Sequence, residues 1–482
     1  MSPHDDPLRW KALAVLGIAY LMVVLDVSIV NVALPSIQKD LHFSTENLQW
    51  VVSAYALTFG GFLLLGGRAG DLLGRRRLFM AGLLLFSVFS LLCGLATSSG
   101  MLIAFRALQG LGGAILSPSV FSIVSVTFRE GAERNKALGI LGAIAGSGAA
   151  IGVLAGGVLT EYAGWEWIFF VNVPIGLGAL FLVLRYVRES RADDLLRLFD
   201  SAGAVTVTAS LMLLVYGLTQ STIVGWASAR TIGVLIGSVV LMAAFIWIEY
   251  RSRSPLVPLS FFRRRTPTGA NIIGFGLGTM VFGMFFLLSL YMQQVLGFSA
   301  LKTGVGYLAV ALTAVVASGV AQALSTRLSV KPVLLVGLGL LAAGLIYFTQ
   351  VSVDGSYVAD LLPGFLLIGV GLGFSFVPVS IAALAGVTGR DAGLASGLIN
   401  TSQQIGGALG LAILTTVATT HTNHLLAAGE KTPVALTSGF SLAFWAGAGF
   451  AFLSILATVF ALRREDLVLQ QPSAEASPEP AS

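Results

Sequence analysis

Charge is what this chain has least of. Only 11% of its 482 residues are Asp, Glu, Lys or Arg, where a soluble domain carries about 25%. With an apolar fraction of 56% and a mean hydropathy of +0.88, that shortage excludes a water-soluble globular protein and leaves an integral membrane protein. Cysteine is nearly absent too. The single Cys93 lies in an apolar run, so no intrachain disulfide forms and the redox compartment goes unread. Glycine is plentiful, at 57 residues, yet no GxxxxGK[ST] string occurs, which argues against ATP-driven transport by this chain alone. His421 and His424 are spaced i, i+3 with no further Cys, His or carboxylate at ligand spacing, so neither a metal nor another cofactor is expected. No nucleophile–base pair appears and no segment is long enough for a soluble catalytic domain, so an enzyme is not expected. The net charge of +5 is dispersed rather than gathered on one face, which argues against a nucleic-acid partner.

What is present is a succession of apolar runs. A bilayer core takes about 20 apolar residues per helix. On that spacing spans fall near 12–34, 48–66, 78–97, 102–126, 137–161 and 166–186, then 201–218 and 230–249. A further six fall near 269–292, 303–324, 332–350, 360–382, 393–419 and 438–462, giving fourteen in an order of six, two and six. The first run lacks a small-residue cleavage site and reads as a retained span rather than a signal peptide. The tail from Glu465 to Ser482, rich in Pro, Ser, Ala and Glu, is expected to be disordered.

Basic residues set the orientation. Placing the N-terminus inside puts 23 of the 28 Lys and Arg on the cytoplasmic side and four (Lys39, Arg230, Lys302, Lys431) outside, with Arg106 alone inside a span. Both termini are therefore expected in the cytoplasm. Trp10, Trp50, Trp165, Trp167 and Trp247 fall near span ends, where an interfacial aromatic belt would place them.

The most informative string joins the second and third spans: GRAGDLLGRRR, Gly67 to Arg77. Gly67, Gly70 and Gly74 permit a sharp turn and a close approach of two helix ends, while Asp71 gives Arg75 and its neighbours a local partner. Positive-inside topology alone explains the arginines but not the Gly/Asp spacing.

Within the spans, Asp26 is a carboxylate in lipid and so a candidate functional group. Arg106 of the fourth span lies at a depth differing from that of Asp26 by roughly 6 Å, within reach of an arginine side chain. Burial raises a carboxyl pKa and a guanidinium lowers it. The pair reads either as a titratable centre that exchanges protons or as a permanent ion pair that only holds helices together. In the first reading, Asp26→Asn is expected to stop coupling and leave the fold intact. In the fifth span Gly148, Gly152 and Gly156 recur every four residues on one helix face, for close packing alone or for a seam that opens and closes. Asn31, Gln109, Asn400 and Gln404 are candidate substrate-cavity amides, although such amides also bond neighbouring helices. Gly369, Gly371, Gly373 and Pro378 mark a place where the twelfth span bends.

Together these strings resemble the fourteen-helix drug:proton antiporter family of the major facilitator superfamily. The resemblance covers roughly residues 10 to 462. It rests on LDVSIVNVALP in the first span, GRAGDLLGRRR, RALQGLGGA in the fourth and the glycine seam of the fifth, together with WEWIFFVNVPIG and AGLASGLINTSQQIGGALG. It implies an all-α membrane protein with a six-helix bundle over 10–186, a linker with two extra transmembrane helices over 187–268, and a second bundle over 269–462. Residues 463–482 then form a cytoplasmic tail. The family resemblance makes Asp26 the proton-coupling carboxylate with Arg106 beside it. It makes Gly67, Gly70, Asp71, Gly74 and Arg75 a conformational lock, and Gly148, Gly152 and Gly156 the seam typical of exporters. The implied function is proton-coupled export of amphiphilic drugs or antibiotics by alternating access in a plasma membrane. Its partners are a small amphiphilic substrate, protons and the lipid bilayer, with a monomer sufficient. A specific metabolite exporter (of an amino acid, a siderophore or a self-made antibiotic) and a non-transporting membrane sensor are the alternatives.

Three departures from the family pattern stand out. Val153 follows Gly152 where the exporter seam usually has proline, and Glu166 stands between Trp165 and Trp167 where arginine is usual. The thirteenth span has no carboxylate, which favours neutral or monocationic cargo over dications.

Overall fold

Apolar runs of this length have one stable arrangement in lipid, the helix, because every backbone N–H and C=O must be satisfied within the segment. The computed structural model follows that rule. It describes residues 8–128, 132–190, 200–252, 255–257, 259–385 and 392–462. The tail 463–482, and with it Arg463 and Arg464, lies outside these residues, as do Arg129, Arg191, Arg197, Arg253 and Arg390.

The long helices are α1 (Arg9–Asp40), α2 (Trp50–Leu73), α3 (Arg75–Gly94), α4 (Ser99–Thr127), α5 (Ala132–Tyr162), α6 (Asn172–Tyr186), α7 (Ser201–Val224) and α8 (Ala229–Arg251). They continue as α9 (Arg265–Leu290), α10 (Ala300–Leu328), α11 (Val330–Phe348), α12 (Leu362–Ala383), α13 (Ala392–Ala427) and α14 (Thr432–Ala461). Among the described residues 13 helices are long and apolar enough to cross a membrane. The fifth span of the sequence reading is α5, a 31-residue helix whose described apolar piece is Ala150–Tyr162. Helix α1, at 32 residues, is about 48 Å long against a hydrocarbon core of about 30 Å, so its ends project beyond the apolar layer. The sixth span runs as one 20-residue helix, Trp167–Tyr186, with Val171 in helical conformation. Its first turn, Trp167–Phe170, leads into α6 and sets Asn172 near the start of the span.

Packing repeats in the two halves. Helix α1 packs on α5, α2 on α4, and α3 on α4 and α6; in the same pattern α9 packs on α13, α10 on α12, and α11 on α12 and α14. The halves meet along α2–α13 and α5–α10, and α7 packs against both α2 and α13. Helix α8 leans on α7 and turns most of its surface outward, with Ile236, Val239, Val240 and Trp247 all more than half exposed. That is the pattern of a lipid-facing helix.

The two ends of the molecule differ. The end where α1 begins carries most of the arginines and is called the basic end; the end where α1 finishes is the far end. At the basic end Gly74 turns the chain between α2 and α3 with φ +109°, a region that glycine enters without steric penalty. Glu189 then caps α3, accepting from the backbone N–H of Arg76 (3.1 Å) and of Arg77 (3.2 Å), a favourable place for negative charge. At the far end the halves are clasped. Gln293, in a π-helical turn after α9, donates to the Val32 carbonyl at 2.9 Å, and Gln294 donates to Gln38 at 2.7 Å.

Candidate functional site

The first feature is a buried polar centre in the first half. Helix α1 supplies Asp26, α4 supplies Arg106 and Gln109 one turn apart, and the start of α6 supplies Asn172. An Arg106 terminal nitrogen donates to Asp26 Oδ2 at 2.5 Å and to Gln109 Oε1 at 2.7 Å, while its Nε donates to the Val51 carbonyl at 2.9 Å. Asp26 Oδ1 accepts from Gln109 Nε2 at 2.8 Å and from Asn172 Nδ2 at 3.2 Å. Asn172 also donates to Ser90 at 3.0 Å, and Ser90 donates to the Phe169 carbonyl at 2.8 Å. The guanidinium lies 4.3 Å from the Tyr55 ring centroid, a cation–π contact. Asp26 and Arg106 are 0% and 1% exposed. Two desolvated charges are tolerable only when paired and hydrogen-bonded, as they are here.

The second feature is a cavity of about 1200 Å³ between the halves, entered from the basic end. One wall is α1, which contributes Val23, Val24, Val27, Ser28 and Asn31. Phe59, Phe121, Phe282 and Phe285 give it apolar, aromatic surfaces. Asn400 and Gln404 of α13 and several serines add polar points. Arg75 and Arg134 stand at the basic-end mouth, and no carboxylate is among the described lining residues. A large, mostly apolar space with few polar groups suits a small amphiphile. The cavity thus extends to the basic end, where Arg75 and Arg134 line it, while the far end is clasped.

The two features share a helix but not a surface. At 3.6 residues per turn, Asp26 points roughly 130° away from the face of α1 that lines the cavity. Sequence depth alone brought Asp26 and Arg106 within reach, and the structure does bring them together. It places Gln109 elsewhere than expected: not on the cavity wall but in the buried centre, bonded to both Asp26 and Arg106. Asn31 and Asn400 do line the cavity, each with its amide nitrogen bonded to a carbonyl one turn back on its own helix (Val27 at 3.1 Å, Ser396 at 2.9 Å). Asn172, Ser90 and Tyr55 were missed. Asn172 stood within a string already singled out, and a polar side chain in a span was the signal that could have found it.

The glycine seam faces α1. Cβ atoms at Gly148, Gly152 and Gly156 would meet Val24, Ser28 and the Ile29 carbonyl of α1 at 2.7, 1.9 and 2.6 Å. The seam therefore lets α5 lie directly on α1 within the first half. Contact between the halves is made by other residues of α5. A Cβ at Gly304 of α10 would meet the Val153 carbonyl at 2.5 Å, and one at Gly157 would meet the Ala300 carbonyl at 2.9 Å. Gly67 and Arg75 line the cavity, and Arg75 Nε donates to Ser122 at 2.6 Å. Gly70 and the Asp71 side chain lie outside the described positions.

Comparison with known proteins agrees with this architecture. A family profile described as Major Facilitator Superfamily matches residues 16–411. The chain is 39% identical to the puromycin resistance protein pur8 of Streptomyces alboniger, over 94% of this chain and 90% of that protein. It is 40% identical to the cephamycin export protein CmcT of Amycolatopsis lactamdurans, over 84% of each. It is 34% identical to the tetracenomycin C resistance and export protein of Streptomyces glaucescens, over 85% and 78%. Among solved structures, a bacterial homologue of the human lysosomal transporter Spinster, inward-facing and occupied, superimposes with a TM-score of 0.66 at 16% identity, covering 97% of this chain and all of that one. That likeness concerns the fold alone.

Proposed function

We propose that this chain, which belongs to the major facilitator superfamily, exports amphiphilic drugs or antibiotics in exchange for protons by alternating access across a plasma membrane. In this reading the basic end faces the cytoplasm, residues 10–186 and 269–462 are the two moving halves, and 187–268 is the inserted segment. The observation that carries it is the arrangement of α1: an ion-paired carboxylate on one face and the wall of an open cavity on the other.

The chemistry follows from the donors around Asp26. Arg106, Gln109 and Asn172 all give hydrogen bonds to its carboxylate, so its oxygens are already occupied by donors from α4 and α6. In this reading a proton on Asp26 replaces the bond from Arg106, which frees α4 to shift against α1. Proton loading is thereby tied to a change of packing, and the same helix carries that change to the cavity. One inward proton at 100 mV supplies about 2.3 kcal/mol, and each tenfold gradient of a neutral solute costs about 1.4 kcal/mol. A single proton thus sustains a gradient of roughly 50-fold. The absence of carboxylates among the described lining residues supports a neutral or monocationic amphiphile rather than a dication as cargo. Three relatives are named for resistance to or export of antibiotics, puromycin among them.

The test is growth of an efflux-deficient host across antibiotics, dyes and biocides, expressing the parent or an Asp26→Asn variant at matched folded amounts. Protection by the parent alone establishes Asp26-dependent efflux. Equal protection by both sinks the coupling role of Asp26, and protection by neither turns the search to a single metabolite.

A further inference from the structure

The inserted helices α7 and α8 look at first like a lipid-facing appendage, yet one buried charge at their basic end ties them to the cavity. Glu249, in the last turn of α8, is 3% exposed. Its Oε1 accepts from the Leu256 N–H at 3.3 Å and its Oε2 from the Val257 N–H at 3.1 Å. The carboxylate thus grips two successive peptide groups of the strap that leads to α9. The first turn of α7 closes the other side: a Cβ at Gly203 would lie 2.9 Å from Asp200 Oδ1 and 3.0 Å from Glu249 Oε1. Asp200 itself caps α7 through Gly203 N at 2.7 Å.

The gripped strap is where the insertion meets the transport path. Pro255 and Leu256 form part of the cavity wall. Just beyond them, Val257 and Phe261 pack with Leu64 of α2 and with Ala395 and Leu398 of α13. The strap therefore touches both halves at the basic-end mouth. A buried carboxylate is costly unless its hydrogen bonds are made, and the bonds Glu249 makes fix a backbone that a plain spacer would leave unconstrained.

Building on the exporter reading, we propose that the inserted pair is part of the drug site. Glu249 is a positioning residue that holds Pro255 and Leu256 in the cavity wall, and Leu256 is a specificity-determining contact for the apolar part of the cargo. The insertion thereby adds to the central cavity a wall that neither six-helix bundle supplies.

Two readouts test this on the full-length protein in inside-out vesicles. The natural chain has one thiol, Cys93, and it is buried, so Leu256→Cys introduces the one reactive thiol. Leu256 is 7% exposed, and its cysteine variant is expected to react slowly with a membrane-impermeant maleimide. Adding Glu249→Gln turns an amide nitrogen toward a backbone donor and is expected to speed that reaction about tenfold, as loss of a charge-assisted hydrogen bond would. In parallel, puromycin transport is measured. Leu256→Ala and Glu249→Gln are each expected to raise KM several-fold with Vmax held within about twofold, the signature of lost binding rather than lost folding. Val240→Ala, on the outward face of α8, leaves both unchanged. Equal labelling with and without Glu249, or an unaltered KM in both variants, overturns the proposal. If the parent does not move puromycin, the exporter reading fails for that cargo. The labelling rates still decide the strap, acceleration supporting the grip of Glu249 and equality refuting it.

Discussion

At the scale of single residues, the decisive fact is that Arg106 has one anionic partner among the described residues and no water-facing surface. The sequence-based expectation that Asp26→Asn leaves the fold intact needs correction on this ground. Removing one member of a buried pair leaves the other charge uncompensated, at a cost of about 3–5 kcal/mol. We expect Asp26→Asn to lower the folded amount as well as to stop substrate-driven proton flux. Replacing both, as Asp26→Asn with Arg106→Gln, removes the stranded charge. The double variant should recover folded yield by size-exclusion profile and thermal stability in detergent, yet stay uncoupled. A double variant no more stable than the single one would show that the pair matters little to folding. Asp26 and Arg106 were readable from the sequence because charges in a span are rare and their depths could be counted. Gln109 was assigned to the cavity and Asn172 was not placed, because an amide in a span bonds a substrate or a neighbour equally well, and only the azimuth of its helix separates the two.

At the scale of elements, closure of the far end depends on two helices coming within backbone contact. Val153 and Gly157 of α5 lie against Gly304 and Ala300 of α10, and Gln293 and Gln294 fasten α9 to α1 beside them. Gly304→Leu is expected to hold α5 and α10 apart, so that the far end stays open and export is lost while the protein remains folded. Asn31→Cys then reports the change: its labelling from the outer side of intact cells should rise about tenfold or more, in line with a population shift of at least 1.4 kcal/mol. Unchanged labelling would mean that α5 and α10 do not form the outer gate. The period of the seam, one glycine every four residues, announced a closely packed face. It did not say which helix lies on that face, and here it is α1 rather than α10. Span positions were legible because lipid demands about 20 apolar residues; the π-helical turn after α9 carries no such signature.

At the scale of the whole molecule, the pairing pattern of α1–α6 recurs in α9–α14, and the cavity lies where the two copies meet. Twofold internal repetition of this kind was visible in the sequence only as six spans, then two, then six. The tertiary closeness of α2 to α13 was not visible at all. If the molecule runs on protons, an uncoupler that collapses the gradient should stop export within the collapse time, whereas ATP depletion with the gradient clamped should leave it running. Export that survives the uncoupler would place the energy source elsewhere. The rotation of Asp26 away from the cavity face of α1 has a last consequence, and it is evolutionary. Under the proposed mechanism, cargo and proton never contend for the same atoms, so the cavity wall is free to drift while the energy-converting centre stays as it is. New cargo would then be acquired through changes at positions such as Val27, Phe282 or Leu256, each of which can be altered without disturbing the ion pair. A lineage with this layout can follow a changing chemical environment by substituting wall residues one at a time, keeping one engine throughout.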